Sequence, residues 1–365
     1  MAASKVAIIQ CADTGPLESL VIMLRSIGYE CRIPNDDIKR ELRALKCGLV
    51  LDIASLVKGM GYSWPMRLPE ATLADMACPD VVYVDVKAHQ IYDKVTARWP
   101  NLKDRVLWYR INGGMPEHVI KPSGEDCGDE VNPPCPVLTP NQWYVLREGL
   151  PQPGDPYPGW AGRAYAVWPP FYRFDEYYPV HGRAGEPSVS LTFTPPVCLI
   201  HGVQGWGYGA LIDNMRLMGV AIHGAPSPDG LIPHAKIPAL LSRTMAMVHL
   251  KSSDAPGYAI YECIAAGCPL ICTRRLIWRC RMQDLLIPGE TCLVFDRETH
   301  DGLTPADVAD CTREVAEHLE RLRDPAENRR IGEAGRKRLA EVMWSESKPA
   351  DVDSLRAFME RHYPN

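Results

Sequence analysis

Short apolar runs recur along the chain, separated by polar turns and by stretches with helical spacing. Residues 6–10 (VAIIQ), 48–53 (GLVLDI), 81–85 (VVYVD), 106–111 (VLWYRI) and 137–139 (VLT) are short and almost continuously apolar, which predicts buried parallel strands. After the first run, residues 16–27 (PLESLVIMLRSI) open on proline and stop at Gly28, the asymmetry of a helix. Strand followed by helix, repeated, predicts a Rossmann-like α/β domain. Residues 149–187 are crowded with proline and glycine, so they are expected to be irregular and to carry the crossing into a second domain, with the boundary near 180. Beyond it, runs at 189–193, 197–201, 220–223, 245–250 and 269–273 predict a second sheet, and 352–362 a last helix. The expected organisation is therefore 1–180, 181–345 and a terminal piece, 346–365, that returns to the first domain. The turn after the first strand, 11–15 (CADTG), has no G-x-G-x-x-G, which argues against a dinucleotide oxidoreductase.

Composition narrows the class. At 365 residues the chain has room for two domains of ordinary size. Hydrophobic residues make up 46% but stay dispersed, so no segment is expected to span a membrane. The opening MAASKVAIIQC enters a strand at once, without the layout of a signal peptide, and a cytoplasmic protein is expected. Thirteen cysteines with no C-x-x-C pair fit reduced core thiols better than a disulfide framework. Cys263, Cys268, Cys272 and Cys280 straddle a predicted helix and strand, a poor spacing for zinc. A net charge of −5 argues against a general polyanion-binding surface. One local exception is 273–282 (TRRLIWRCRM), whose Arg274, Arg275, Arg279 and Arg281 form either a solvated helix face or a phosphate contact.

The most informative stretch is 251–272, KSSDAPGYAIYECIAAGCPLIC. The strand 245–250 (MAMVHL) is broken by Ser252, Ser253, Asp254 and Pro256, a helix follows over 258–266, Gly267 stops it, and the next strand begins. The loop therefore lies at the carboxyl end of a parallel sheet, where ligands bind. Gly257 permits close backbone approach, and a helix N-terminus favours an anion such as a diphosphate. Asp254 in the loop and Glu262 in the helix flank that cradle with two hydrogen-bond acceptors, an arrangement suited to a nucleotide-sugar.

This stretch resembles the Glu, seven residues, Glu motif and the following EAMACGxPVI segment of family-4-type glycosyltransferases. The resemblance continues in 219–224 (GVAIHG), in the helix at 237–242, in 287–295 (IPGETCLVF) and in 324–344 (DPAENRRIGEAGRKRLAEVMW), and so covers roughly 215–345. Residues 167–171 (VWPPF), with Asp175 and Pro179, are similar to the passage where such chains leave their first domain. The resemblance implies an α/β GT-B fold, two Rossmann-like domains facing a central cleft, with the donor in the carboxyl-terminal one. It implies a retaining transfer from a UDP- or GDP-sugar with no essential metal or other cofactor. Carried onto this chain, Glu262 accepts from the ribose hydroxyls, Gly257, Tyr258 and Ala259 meet the diphosphate or sugar, and Asp254 holds the sugar hydroxyls. Two departures stand out. Asp254 is one methylene shorter than the usual Glu. The basic pair that normally follows the first strand of this domain is replaced by Thr194, Pro195 and Pro196, which leaves Lys236, Lys251, Arg274 and Arg275 as candidate diphosphate cations.

In the first domain, His89 is a candidate acid–base residue, and Arg110 or Asn112 stands where the family usually has a catalytic histidine. Asp85 ends the strand before His89, at the same predicted edge. Aromatic residues cluster between Trp143 and Tyr178, as domain packing or as an acceptor platform for sugars or unstacked bases. The acceptor is a glycan, lipid or small-molecule hydroxyl by resemblance. Two alternatives are a phage-type enzyme acting on hydroxymethylated pyrimidines in DNA and a non-catalytic nucleotide-sugar-binding protein.

Overall fold

The computed structural model describes residues 5–10, 14–45, 68–85, 88–109, 135–139, 165–167, 188–190, 208–223, 236–250, 258–279, 282–295, 304–343 and 348–364. Twelve strands and eleven α-helices are described among them. The strands are β1 (Lys5–Gln10), β2 (Tyr29–Pro34), β3 (Glu70–Ala71), β4 (Val82–Asp85), β5 (Val106–Tyr109), β6 (Val137–Thr139), β7 (Tyr165–Val167), β8 (Ser188–Ser190), β9 (Ala221–His223), β10 (Met247–His249), β11 (Leu270–Thr273) and β12 (Leu293–Phe295). The helices are α1 (Thr14–Ser26), α2 (Asp36–Ala44), α3 (Leu73–Met76), α4 (Ala88–Arg98), α5 (Tyr208–Leu217), α6 (Ile237–Leu241), α7 (Tyr258–Ala265), α8 (Arg274–Arg279), α9 (Pro305–Arg321), α10 (Pro325–Val342) and α11 (Pro349–His362).

The chain divides into two compact units. One comprises Met1–Gly59, Ser63–Phe171 and Met343–Asn365, the other Met60–Tyr62 and Tyr172–Val342. In this division the first unit's central segment ends at Phe171 and its terminal segment begins at Met343. None of the described helices is long and apolar enough to cross a membrane.

The first unit holds a seven-stranded sheet in the order β3-β2-β1-β4-β5-β6-β7, every pair parallel. Alternation along the strands builds two cores. Ala7, Ile9, Val82, Val84, Leu107 and Tyr109 pack with Leu20, Val21 and Leu24 of α1 and with Leu355, Phe358 and Met359 of α11. Ile8, Tyr83, Val106 and Trp108 face the other way, onto Ile38 and Leu42 of α2 and Ile91 and Val95 of α4. Tyr363, just past α11, donates its buried hydroxyl to the Val106 carbonyl at 2.8 Å and pins the end of the chain to β5. Proline and glycine did not prevent pairing after residue 149: Tyr165–Val167 pairs with β6, so the series runs one strand beyond 137–139.

The second unit holds a five-stranded parallel sheet in the order β12-β11-β10-β8-β9. Ile222, Val248, Ile271 and Leu293 line one face and pack with Leu211 and Met215 of α5 and Val308, Cys311 and Val315 of α9. Helix α9 starts where Thr304 and Asp307 form a reciprocal capping box ahead of Pro305. The segments expected as strands at 48–53 and 197–201 lie outside the described residues.

Candidate functional site

Each sheet reverses its strand order once. In the second unit the reversal separates β8, which is followed by β9 on one side, from β10, which leads to β11 and β12 on the other. Ligands in open parallel sheets settle outside the carboxyl ends of the strands at such a point. The segment leaving β10 there is 251–257, and α7 follows it directly.

Helix α7 is unusual in being buried almost throughout. Ile260, Tyr261, Cys263, Ile264 and Ala265 are each at most 2% exposed, and the carboxylate-bearing Glu262 only 6%. A buried carboxylate costs several kcal/mol unless it is paired and hydrogen-bonded, and Glu262 has an interaction within the fold. Its helix is fixed at the far end. Cys268 N–H donates to the Cys263 carbonyl at 3.0 Å, and Gly267 takes the left-handed conformation, φ 68°, that this Schellman turn requires. Arg336 of α10 donates to the Ala265 carbonyl at 2.8 Å, a cation placed on the negative end of α7. Gly332 lets α10 approach this turn, since a methyl there would overlap the Gly267 carbonyl oxygen and stand 2.9 Å from its carbon. Burial, then contact with Cys268 and the charge of Glu262 among other neighbours, pushes the Cys263 thiol far above its ordinary range, so it stays protonated.

The remaining candidates are placed unevenly. Ala259 is buried in the first turn of α7 beside Tyr258, the first helical residue. Arg274 opens α8 immediately after β11 and is half-buried, with Thr273 Oγ1 accepting from Leu276 N–H at 3.1 Å to cap that helix. Lys236 is exposed at the start of α6, which leads into β10. His89 is the second residue of α4 in the first unit. Asp254, Gly257, Lys251 and Arg110 lie outside the described residues. The structure thus brings Tyr258, Ala259 and Glu262 onto one helix and places Arg274 at the start of the next helix, beyond β11.

Two residues escaped the sequence reading. His249, at the carboxyl end of β10, is fully buried and registers with Cys272 of β11 on the face opposite Val248 and Ile271. Asn328 of α10 is buried and donates to the carbonyls of Met245, at 2.8 Å, and Leu322, at 3.2 Å, tying α10 to the approach of β10. The reading of 245–250 as an apolar strand passed over the histidine because only its strand position marks it. Among the described residues, no group of three or more His, Cys, Asp or Glu is placed to hold a metal ion.

Two parallel α/β sheets, each with one reversal of strand order, make up the two-domain architecture of the GT-B fold. Residues 209–345 match the family model described as glycosyl transferase-like. Similar solved structures extend the likeness over the whole chain. Sucrose-phosphate synthase from Thermosynechococcus elongatus is 14% identical, with 98% of each chain covered and a TM-score of 0.56. HepE from Anabaena, in complex with UDP and glucose, is 12% identical over 98% of each chain, with a TM-score of 0.54. A glycosyltransferase from Rickettsia africae is 10% identical over 100% of each chain, with a TM-score of 0.53. No curated protein matches the chain in sequence.

Proposed function

We propose that the protein is a glycosyltransferase that moves a sugar from a nucleotide-sugar to a hydroxyl acceptor, with retention of anomeric configuration. The observation that carries the proposal is Glu262. It is a buried carboxylate one turn into α7, on the helix that follows the switch-point strand, inside the region that matches the transferase family. A carboxylate only accepts hydrogen bonds, so its natural partners are hydroxyl pairs such as those of a ribose.

The donor's nucleotide hydroxyls pair with Glu262, and its diphosphate lies near the start of α7, at Gly257, Tyr258 and Ala259, where backbone N–H groups and the helix dipole favour negative charge. Lys236, Lys251 and Arg274 supply the countercharge. Asp254 orients the transferred sugar. The acceptor oxygen attacks the anomeric carbon on the face the phosphate leaves, the carbon–phosphate-oxygen bond breaks, and the acceptor proton passes to the departing phosphate oxygen. No carboxylate nucleophile is needed. His89 and Arg110, in the acceptor domain, steer the acceptor hydroxyl. UDP in the Anabaena neighbour supports a uridine donor ahead of a guanosine one. The buried thiols Cys31, Cys263, Cys268 and Cys292 are outside disulfides, which suits a reducing compartment and supports a cytoplasmic location.

The test is release of free nucleotide from UDP-glucose, UDP-N-acetylglucosamine and GDP-mannose, with the product anomer read by NMR. One donor is expected to turn over, giving product of the donor's own anomeric configuration, and Asp254→Ala is expected to abolish it. Turnover that survives Asp254→Ala would remove that residue from the reaction, and an inverted product would refute the mechanism.

A further inference from the structure

Helix α10 holds both elements that flank segment 251–257, and it does so with one face. Asn328, Gly332 and Arg336 are spaced four residues apart and so stand one above another along the helix. Asn328 donates to the Met245 carbonyl, two residues before β10 begins. Gly332 meets the Gly267 carbonyl oxygen so closely that a methyl would overlap it. Arg336 is half-buried and donates from Nη1 to the carbonyl of Ala265, the last residue of α7, at 2.8 Å. The final carbonyls of a helix have no partner inside it. Those of Cys263 and Ile264 are met by the turn itself, through the N–H groups of Cys268 and Gly267 at 3.0 and 2.9 Å. That of Ala265 is met by a guanidinium, which is charge-assisted and always ionised.

We propose that Arg336 is a positioning residue for the donor: it fixes the last turn of α7, and its charge strengthens the hold of the opposite end of that helix on the donor's diphosphate. The inference rests on the reading of α7 as the donor helix. Arg336 acts through α7, with no contact to the donor assigned to it. A cation at the carboxyl end offsets the negative pole of the helix, so the N–H groups of the first turn attract an anion with less opposition. Helix α7 has eight residues, which at about 1.5 Å each separates its ends by about 12 Å. At an effective dielectric of about 20, one unit charge acting on another over that distance changes an equilibrium constant by about tenfold. Solvent screening of the half-buried guanidinium reduces the expected effect to about fivefold. Glu333, three residues earlier on α10, is fully exposed to that screening and offsets little of it.

The test is binding of UDP and of uridine to the full chain, by calorimetry and by saturation-transfer NMR. Wild type, Arg336→Lys, Arg336→Gln and Arg336→Met are compared, each with its melting temperature. The two neutral variants differ in polarity and therefore in how they pack, so a folded protein from either one decides the question. The expected result is UDP binding weaker by about fivefold in the neutral variants, near wild type in Arg336→Lys, and uridine binding the same in all four proteins. Unchanged UDP affinity in a folded neutral variant would overturn the proposal. So would a parallel fall for UDP and uridine, which marks a merely structural loss of α7, or a loss in Arg336→Lys as large as in Arg336→Gln. UDP binding that ignores residue 336 leaves the donor site standing, whereas a wild type that binds no UDP sinks the donor reading and this inference together.

Discussion

Replacing Gly332 by alanine tests whether α10 and the end of α7 meet as closely as described. The added methyl would overlap the Gly267 carbonyl oxygen, with the carbonyl carbon at 2.9 Å and Cα at 3.6 Å. All three are backbone atoms of a constrained left-handed turn, so no side chain can swing aside and one helix must shift. Overpacking of this kind costs about 1–3 kcal/mol, and a backbone obstacle belongs at the upper end. Against it, alanine inside a helix gains about 1 kcal/mol over glycine. The net expectation is destabilisation by about 2 kcal/mol. For a unit of this size that lowers the melting temperature by about 4–8 °C. Gly335→Ala is the internal control: its methyl would stand 3.2 Å from the Thr291 carbonyl oxygen, a tight but tolerable contact, so the helix gain offsets the strain to within about 1 kcal/mol. The assay is urea denaturation of both variants, with UDP affinity measured alongside because the displaced turn anchors the helix carrying Glu262. A Gly332→Ala protein as stable as wild type, or less affected than Gly335→Ala, would refute the packing argument.

Two further outcomes follow from other parts of the structure. Tyr363→Phe removes the donor to the Val106 carbonyl, and leaving that buried acceptor unmet is expected to cost about 1–3 kcal/mol in denaturation of the first unit; an unchanged midpoint would show that the terminal helix is held by apolar packing alone. Glu327 is held down to about 2, from an ordinary 4.5, by its hydrogen bonds to Arg330 and Arg321. Because its folded-state value is depressed, its stabilisation is present above about pH 4.5 and disappears as pH falls toward 2. The pair is near the surface, so Glu327→Gln is expected to cost no more than about 1 kcal/mol at pH 7; the gap to wild type should close in melts taken below pH 4, and a gap that persists at pH 2 would contradict the assignment.

Much of the fold was legible where strands were continuously apolar. Val82–Asp85, Val106–Tyr109, Met247–His249 and Leu270–Thr273 are buried along their length, and that is what their sequences predict. The strand Tyr29–Pro34 went unread because it alternates: Arg32 is a polar position satisfied by Glu30 and Asp75, each at 2.8 Å, and a charged residue there masks the apolar pattern. Helices α2 and α9 carried readable signals that were passed over, Asn35 accepting from Ile38 N–H at 3.0 Å and the Thr304–Asp307 box. The position of Glu262 on a helix followed from spacing, whereas its burial did not, since that depends on α10 lying against the same turn. Gly332 and Gly267 are far apart in the chain, and no local pattern reveals that only a glycine at 332 lets them meet.

The central claim is that the buried carboxylate on α7 binds a nucleotide-sugar. Calorimetric titration of UDP and UDP-glucose into wild type and Glu262→Ala, with folding of the variant confirmed by its melting curve, tests it most directly. The account predicts saturable binding to wild type and at least tenfold weaker binding to the folded variant. Equal affinity in the two proteins would contradict it.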